Sequence, residues 1–148
     1  MNNNKQLNIE NLFNIDKIVL TLIQSTWIIE DRPSEKITLT ITKDCLKINK
    51  TIKYNNYEID RCNNLKEHTY QWKILICEKD FDLVLTVIKK SFFINIHLCD
   101  AIPANAKCYL NNQKILQCDF DENDSMFYSF LKNVLSKEII TELFGEDF

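Results

Sequence analysis

The stretch Tyr70-Gln71-Trp72-Lys73-Ile74-Leu75-Ile76-Cys77, followed by Phe81-Asp82-Leu83-Val84-Leu85-Thr86-Val87-Ile88 and by Phe92-Phe93-Ile94-Asn95-Ile96-His97-Leu98-Cys99, decides the fold read from this chain. Its density of aromatic and β-branched residues predicts three half-buried or fully buried strands. Between them lie Glu78-Lys79-Asp80 and Lys89-Lys90-Ser91, polar breaks of hairpin length, so the three segments read as an antiparallel meander. Tyr70, Trp72, Ile74 and Ile76 share one face of the first segment, and Phe92, Ile94, Ile96 and Leu98 share one face of the third. Those faces are expected to form the core.

Working outward, Ile37, Leu39 and Ile41 alternate with Thr38, Thr40 and Thr42, the pattern of a strand with one buried and one wet face. Lys43-Asp44 turns this strand back into Cys45–Lys50, whose alternation runs on through Ile52 and Tyr54. Asn55-Asn56 offers another turn, and Tyr57–Ile59 a short strand. Asp60–Glu67 reads as a loop. Cys108–Leu110 and Ile115–Cys118 pair across Asn111-Asn112, a hairpin expected at a sheet edge. Toward the N-terminus, Leu12, Ile15, Val19, Leu22 and Ile23 recur at helical steps and predict a helix from Asn8 to about Gln24, although Ile18, Leu20 and Leu22 also alternate as a strand would. Trp27–Ile29 reads as a first strand ended by Pro33. At the other end Phe127, Phe130, Leu131, Val134 and Leu135 mark an amphipathic helix capped by Asn123 or Asp124, with a break at Ser136-Lys137 and a cap at Gly145. The expected fold is therefore α+β: one curved antiparallel meander sheet of about seven to nine strands, with an N-terminal and a C-terminal helix packed on it. Residues 1–148 form one domain in this reading, with 1–6 frayed.

Composition narrows the chemistry. The net charge is −3, only Arg32 and Arg61 are arginine, and no basic cluster stands out, which argues against nucleic acid. No apolar run is long enough for a membrane span, and the start Met1–Asn8 lacks the pattern of a secretory signal, so a cytoplasmic protein is expected. Cys45, Cys62, Cys77, Cys99, Cys108 and Cys118 then read as reduced thiols packed like small apolar residues. Gly145 is the sole glycine, which excludes phosphate loops, dinucleotide fingerprints and nucleophile elbows.

No catalytic set emerges, and no cofactor or metal is called for. His97 with Cys99, Cys108 and Cys118 lacks the tightly spaced pairs of structural zinc sites, and no turn-borne cysteine stands ready to pair with His97 as a nucleophile. An EF-hand loop begun at Asp119 would need glycine where Asp124 stands and glutamate where Phe130 stands. The run Asp119, Asp121, Glu122 and Asp124 has two other uses. It can favour the following helix through its dipole and free amides, or present a negative patch, joined by Asp80 and Asp82, to a basic partner.

An acidic, compact chain without catalytic residues resembles in type the small immunity proteins of bacterial polymorphic-toxin and contact-dependent inhibition systems. That resemblance implies a non-catalytic module that neutralises a basic toxin domain by covering its active surface. Trp27 opening a strand before a meander and a C-terminal helix is also similar to lipocalin-type proteins, with Ser25-Thr26 where those carry glycine. It implies a barrel holding a small apolar ligand against Trp27, Trp72, Phe92, Ile94 and Ile96. Secretion chaperones are a third comparison, differing from this reading by a helix in mid-chain. Self-association through the edge at Cys108–Cys118 is a further expectation.

Overall fold

The structure is a computed structural model that describes residues 14–23, 34–53, 67–94 and 104–145. Its strands are β1 (Lys17–Ile23), β2 (Ser34–Ile41), β3 (Cys45–Lys53), β4 (Glu67–Leu75), β5 (Ala104–Leu110) and β6 (Gln113–Phe120). Its helices are α1 (Glu78–Ile94), α2 (Ser125–Val134) and α3 (Lys137–Phe144). All six strands join one open sheet in the order β4-β3-β2-β1-β5-β6, every neighbour antiparallel. Strands β1 to β4 meander outward; α1 then returns the chain to the far side of β1, where β5 and β6 add a hairpin.

Alternation decides which face is covered. Ile18, Leu20 and Leu22 of β1 stand opposite Ile41, Leu39 and Ile37 of β2, and all six are fully buried. Leu46 and Ile48 extend this face into β3, Ala106 and Cys108 into β5, and Leu116 and Phe120 into β6. Phe81, Val84, Leu85 and Ile88 of α1 join the same cluster, with Phe127, Phe130 and Leu131 of α2 and Ile140 and Leu143 of α3. Phe127 meets Phe120 edge-on at 5.0 Å, which seats α2 against β6.

Several sequence expectations are corrected. Phe81–Ile88 is not a strand, and Phe92–Ile94 does not begin another; both belong to α1. Phe81, Val84, Leu85 and Ile88 fall on one helical face, while Asp82, Thr86 and Lys90 form an exposed stripe at four-residue steps. Glu78-Lys79-Asp80, expected as a hairpin break, is the helix's first turn, where the Asp80 carboxylate accepts the Cys77 amide at 3.1 Å. Residues 17–23 are strand rather than helix, because two-residue alternation buries Ile18, Leu20 and Leu22 together. The described strands number six rather than seven to nine. The segments Asn8–Phe13, Trp27–Ile29, Tyr54–Ile59 and Asn95–Cys99 lie outside the described residues, and with them any further part of those expectations.

Other local readings hold. Asn111 and Asn112 take φ of 52° and 67°, the left-handed pair that a two-residue hairpin requires and asparagine tolerates. Asp124 caps α2, Ser136 caps α3 after the expected break, and Gly145 ends α3 with φ 91°. Strand β6 is an edge, as expected, and β4 is the other.

Among the described residues one charged side chain is buried in the covered face. Lys50 of β3 is buried, pairs with the Glu35 carboxylate at 3.1 Å, and donates to the backbone carbonyl of Glu142 in α3. The contact ties the last helix to the sheet and satisfies a carbonyl near the helix end. Replacing Lys50 by Ala is expected to cost about 2 kcal/mol through lost packing of its stem and the loss of both polar contacts. Lys47→Ala, on the exposed face of the same strand, is expected to cost under about 0.5 kcal/mol. Equal losses on chemical denaturation would refute this role for Lys50.

Candidate functional site

The acidic run forms the corner where edge strand β6 turns into α2. Asp119 is exposed on β6, opposite Asn105. Asp121 is half-buried; its side chain accepts the Asn123 amide at 2.9 Å and its carbonyl accepts the Asp124 amide at 3.1 Å. Asp124 accepts the Met126 amide at 2.8 Å through one carboxylate oxygen and Lys90 Nζ of α1 at 3.0 Å through the other. Two of the four acids are thus engaged in shaping the turn and capping the helix.

Their electrostatics differ. Burial, then the neighbouring Asp121 charge, pushes the Glu122 carboxyl above the ordinary carboxylate range. Burial also acts upward on Asp124, but the hydrogen bonds from Lys90 and from the Met126 and Phe127 amides, with the Lys90 charge, outweigh it and hold this carboxyl low. Two large side chains stand exposed just beyond, Met126 at 37% and Tyr128 at 40%, with Lys132 Nζ 5.1 Å from the Tyr128 ring centre. Acid and exposed apolar surface therefore meet at one corner.

The remaining expected acids lie elsewhere. Asp80 and Asp82 occupy the first turns of α1, whereas Lys90, which meets Asp124, sits ten residues after Asp80 and so about 15 Å along the helix. The acids form two separate groups. Among the residues expected to line a ligand cavity, Trp72 is half-buried against the core from edge strand β4 and Phe92 packs there from α1. Ile94 ends α1; Trp27 and Ile96 lie outside the described residues. The described strands form one open sheet from β4 to β6 and do not close on themselves, so they do not build the barrel that such a cavity needs.

Among the described residues no group of three or more His, Cys, Asp or Glu side chains could hold a metal. His68 is exposed on β4 with its ring 4.5 Å from that of Tyr70. Cys45, Cys77, Cys108 and Cys118 are free thiols. Burial, then Cys118, pushes the Cys108 thiol up to about 12, and burial, then Asp119, pushes Cys118 up to about 11. Such thiols are poor nucleophiles at neutral pH. No described helix is long and apolar enough to cross a membrane.

Two features escaped the sequence reading. Exposed Met126 and Tyr128 sit inside an amphipathic helix where apolar residues suggested core; their offset from Phe127, Phe130 and Leu131 is the signal that separates them. The other is a set of lysines, Lys17, Lys36, Lys47, Lys73 and Lys107, whose positions in the strands place them all on the face away from the core.

Two measurements test this chemistry. A carboxyl raised by folding binds its proton more tightly in the folded state, so its stabilising contribution is present at low pH and fades as pH rises; a lowered carboxyl does the reverse. Glu122→Gln is accordingly expected to raise the thermal midpoint at pH 7 and to lose that gain toward pH 3. Asp124→Ala is expected to cost about 1 kcal/mol at pH 7, with the cost shrinking as pH falls through the carboxylate range. Identical pH profiles for the two variants would contradict the assignment. Alkylation of the native protein near pH 8, resolved by peptide mass spectrometry, is expected to label Cys77 and to spare Cys108 and Cys118 until denaturant is added. Rapid native labelling of Cys108 would contradict its burial.

Comparison with known proteins adds no relative to this geometry: no family model, no curated protein and no solved structure matches the chain.

Proposed function

We propose that the chain is a non-catalytic protein-binding module of the immunity type, which neutralises a basic toxin domain by covering its active surface. The observation that carries this reading is the turn between β6 and α2, where the half-buried acids Asp121 and Glu122 lead into exposed Met126 and Tyr128, with exposed Asp119 just before it on the edge strand among the described strands. Acidic groups speed encounter with a basic surface and set its orientation, while an exposed aromatic supplies the desolvated anchor that most binding energy comes from. The edge strand adds backbone donors and acceptors for a partner's strand. Asp80 and Asp82, at the other end of α1, contribute at most to long-range attraction.

A second reading shares the binding role. Helix α1 occupies mid-chain, the feature whose absence from the sequence reading separated this chain from secretion chaperones. A chaperone would hold a segment of a secreted protein rather than a folded toxin surface.

The test is coexpression with the toxin domains encoded beside its own gene, followed by copurification and a growth-protection assay. The proposed reading expects protection and a salt-sensitive complex, weakened about tenfold or more by Asp119→Lys or by Tyr128→Ala. A complex formed only with an unfolded or truncated partner would favour the chaperone. Neither protection nor copurification with any such domain would sink the immunity reading.

A further inference from the structure

The sheet face away from the helices carries its own charge pattern. Across it runs the row Lys73, Lys47, Thr40, Val19, Lys107 and Gln117, each residue directly opposite the next on the neighbouring strand. The adjacent row is Gln71, Asn49, Thr38, Thr21, Asn105 and Asp119. Val19, Thr21, Thr38 and Thr40 at the centre keep part of their surface exposed, so the face is not sealed as the other one is. Around that centre stand Lys17, Lys36, Lys47, Lys73 and Lys107. Two described carboxylates lie on this side: Asp119 on edge strand β6, and Asp44 in the β2–β3 turn, which accepts the Thr42 hydroxyl at 3.0 Å and shares a depression with Lys17, Lys47 and Lys73. In a chain of net charge −3, this is a local basic surface.

Two details mark it as more than a solvated face. Lys47 and Lys73 are direct cross-strand partners, an arrangement in which like charges destabilise the sheet, and neither forms an ion pair with a described carboxylate. Beside them a shallow depression of about 470 Å³ is lined by Lys17, Lys47 and Lys73 together with Thr40, Thr42, Cys45, Leu75 and a single carboxylate, Asp44. The repulsion is relieved by an anion that neutralises both ammonium groups at once.

We infer that this open sheet face docks an acidic protein surface. Methyl-bearing Val19, Thr21, Thr38 and Thr40 form a small dry centre, and the lysines form a charged rim, the usual layout of a protein–protein contact. Lys73 and Lys107 stand four strand spacings apart, about 19 Å, a span suited to a folded surface rather than a single small anion. Nucleic acid is the poorer fit. Among the described residues the face offers lysine without arginine and one aromatic ring, Tyr109, which Lys17 already covers at 4.6 Å, a poor stacking platform for bases. A lipid surface is poorer still, since Leu75 is the one large apolar side chain exposed there among the described residues. The inference goes beyond the proposed function: it concerns the opposite charge, on a face that meets the acidic corner at Asp119, and neither stands on the other.

The test uses the full chain, labelled with nitrogen-15, and a fluorescein-tagged 16-residue peptide of repeating Glu-Val-Asp-Leu as the acidic probe. A 16-nucleotide oligothymidine and vesicles containing phosphatidylserine serve as competing probes at equal ionic strength. Saturable peptide binding is expected, with amide shifts concentrated at Val19, Thr38, Thr40 and Lys107. Lys73→Glu and Lys107→Glu are each expected to weaken it about tenfold, and Lys73→Glu to raise the thermal midpoint by ending the like-charge pair. Asp119→Lys, which tests the acidic corner, is expected not to weaken the peptide. No saturable binding, shifts confined to another surface, indifference to both lysine substitutions, or tighter binding of oligothymidine or vesicles would each overturn the inference.

Discussion

The pairing of β1 on both of its edges is the constraint from which the rest of the molecule follows. With β2 on one side and β5 on the other, Ile18, Leu20 and Leu22 have no exit to solvent except through the two faces, and their two-residue spacing sends all three the same way. Neighbouring strands must then match that face, because a slip of one residue would turn every apolar side chain outward. Helices α1, α2 and α3 gather where the apolar surface is. The opposite face is left to threonine, asparagine and lysine, and its charge pattern is thus a by-product of the same register that builds the core.

The molecule separates its charges in consequence. Acids collect at helix starts and in the β6–α2 turn, where free amides and the helix dipole favour them, as Asp80 and Asp124 illustrate. A group of lysines collects on the outer face of the strands, while others, such as Lys90 and Lys132, lie on the helices. Lys50 is the exception that connects the two layers, a cation on the apolar face made tolerable by Glu35 and the Glu142 carbonyl. A net charge of −3 averages over these regions and describes neither, which is why a composition-based argument against basic surfaces misses the sheet face.

What the sequence allowed to be read follows from the kind of signal each element carries. Strands β2 and β3, the turn at Lys43-Asp44 and the Asn111-Asn112 hairpin were legible because alternation and turn chemistry agree there. The caps at Asp124 and Gly145 and the break at Ser136-Lys137 were legible for the same reason, whereas the capping role of Ser136 was not read. Helix α1 was not, since Val84, Thr86, Val87 and Ile88 favour strands individually, and only the stripe Asp82, Thr86 and Lys90 marks the helical period. In β1 two periods competed over few residues, and the tertiary gain from burying one face decided between them. Of the candidate site, the acidic run was visible as a local cluster. Its division into capping and free groups, its distance from Asp80, and the lysine rows depend on pairings between distant segments, to which local patterns are blind.

The crossing made by α1 has a further consequence for how the chain reaches this fold. Val19 and Lys107 face each other although about ninety positions separate them, so the closure of β5 onto β1 carries a large loop-entropy cost and high contact order. A ribosome adding roughly 5–20 residues per second delivers the β1–β4 meander seconds before the last hairpin. During that interval the outer edge of β1 offers its unpaired backbone to any extended chain nearby, making a strand that ends at the centre of the finished sheet its most vulnerable edge during synthesis.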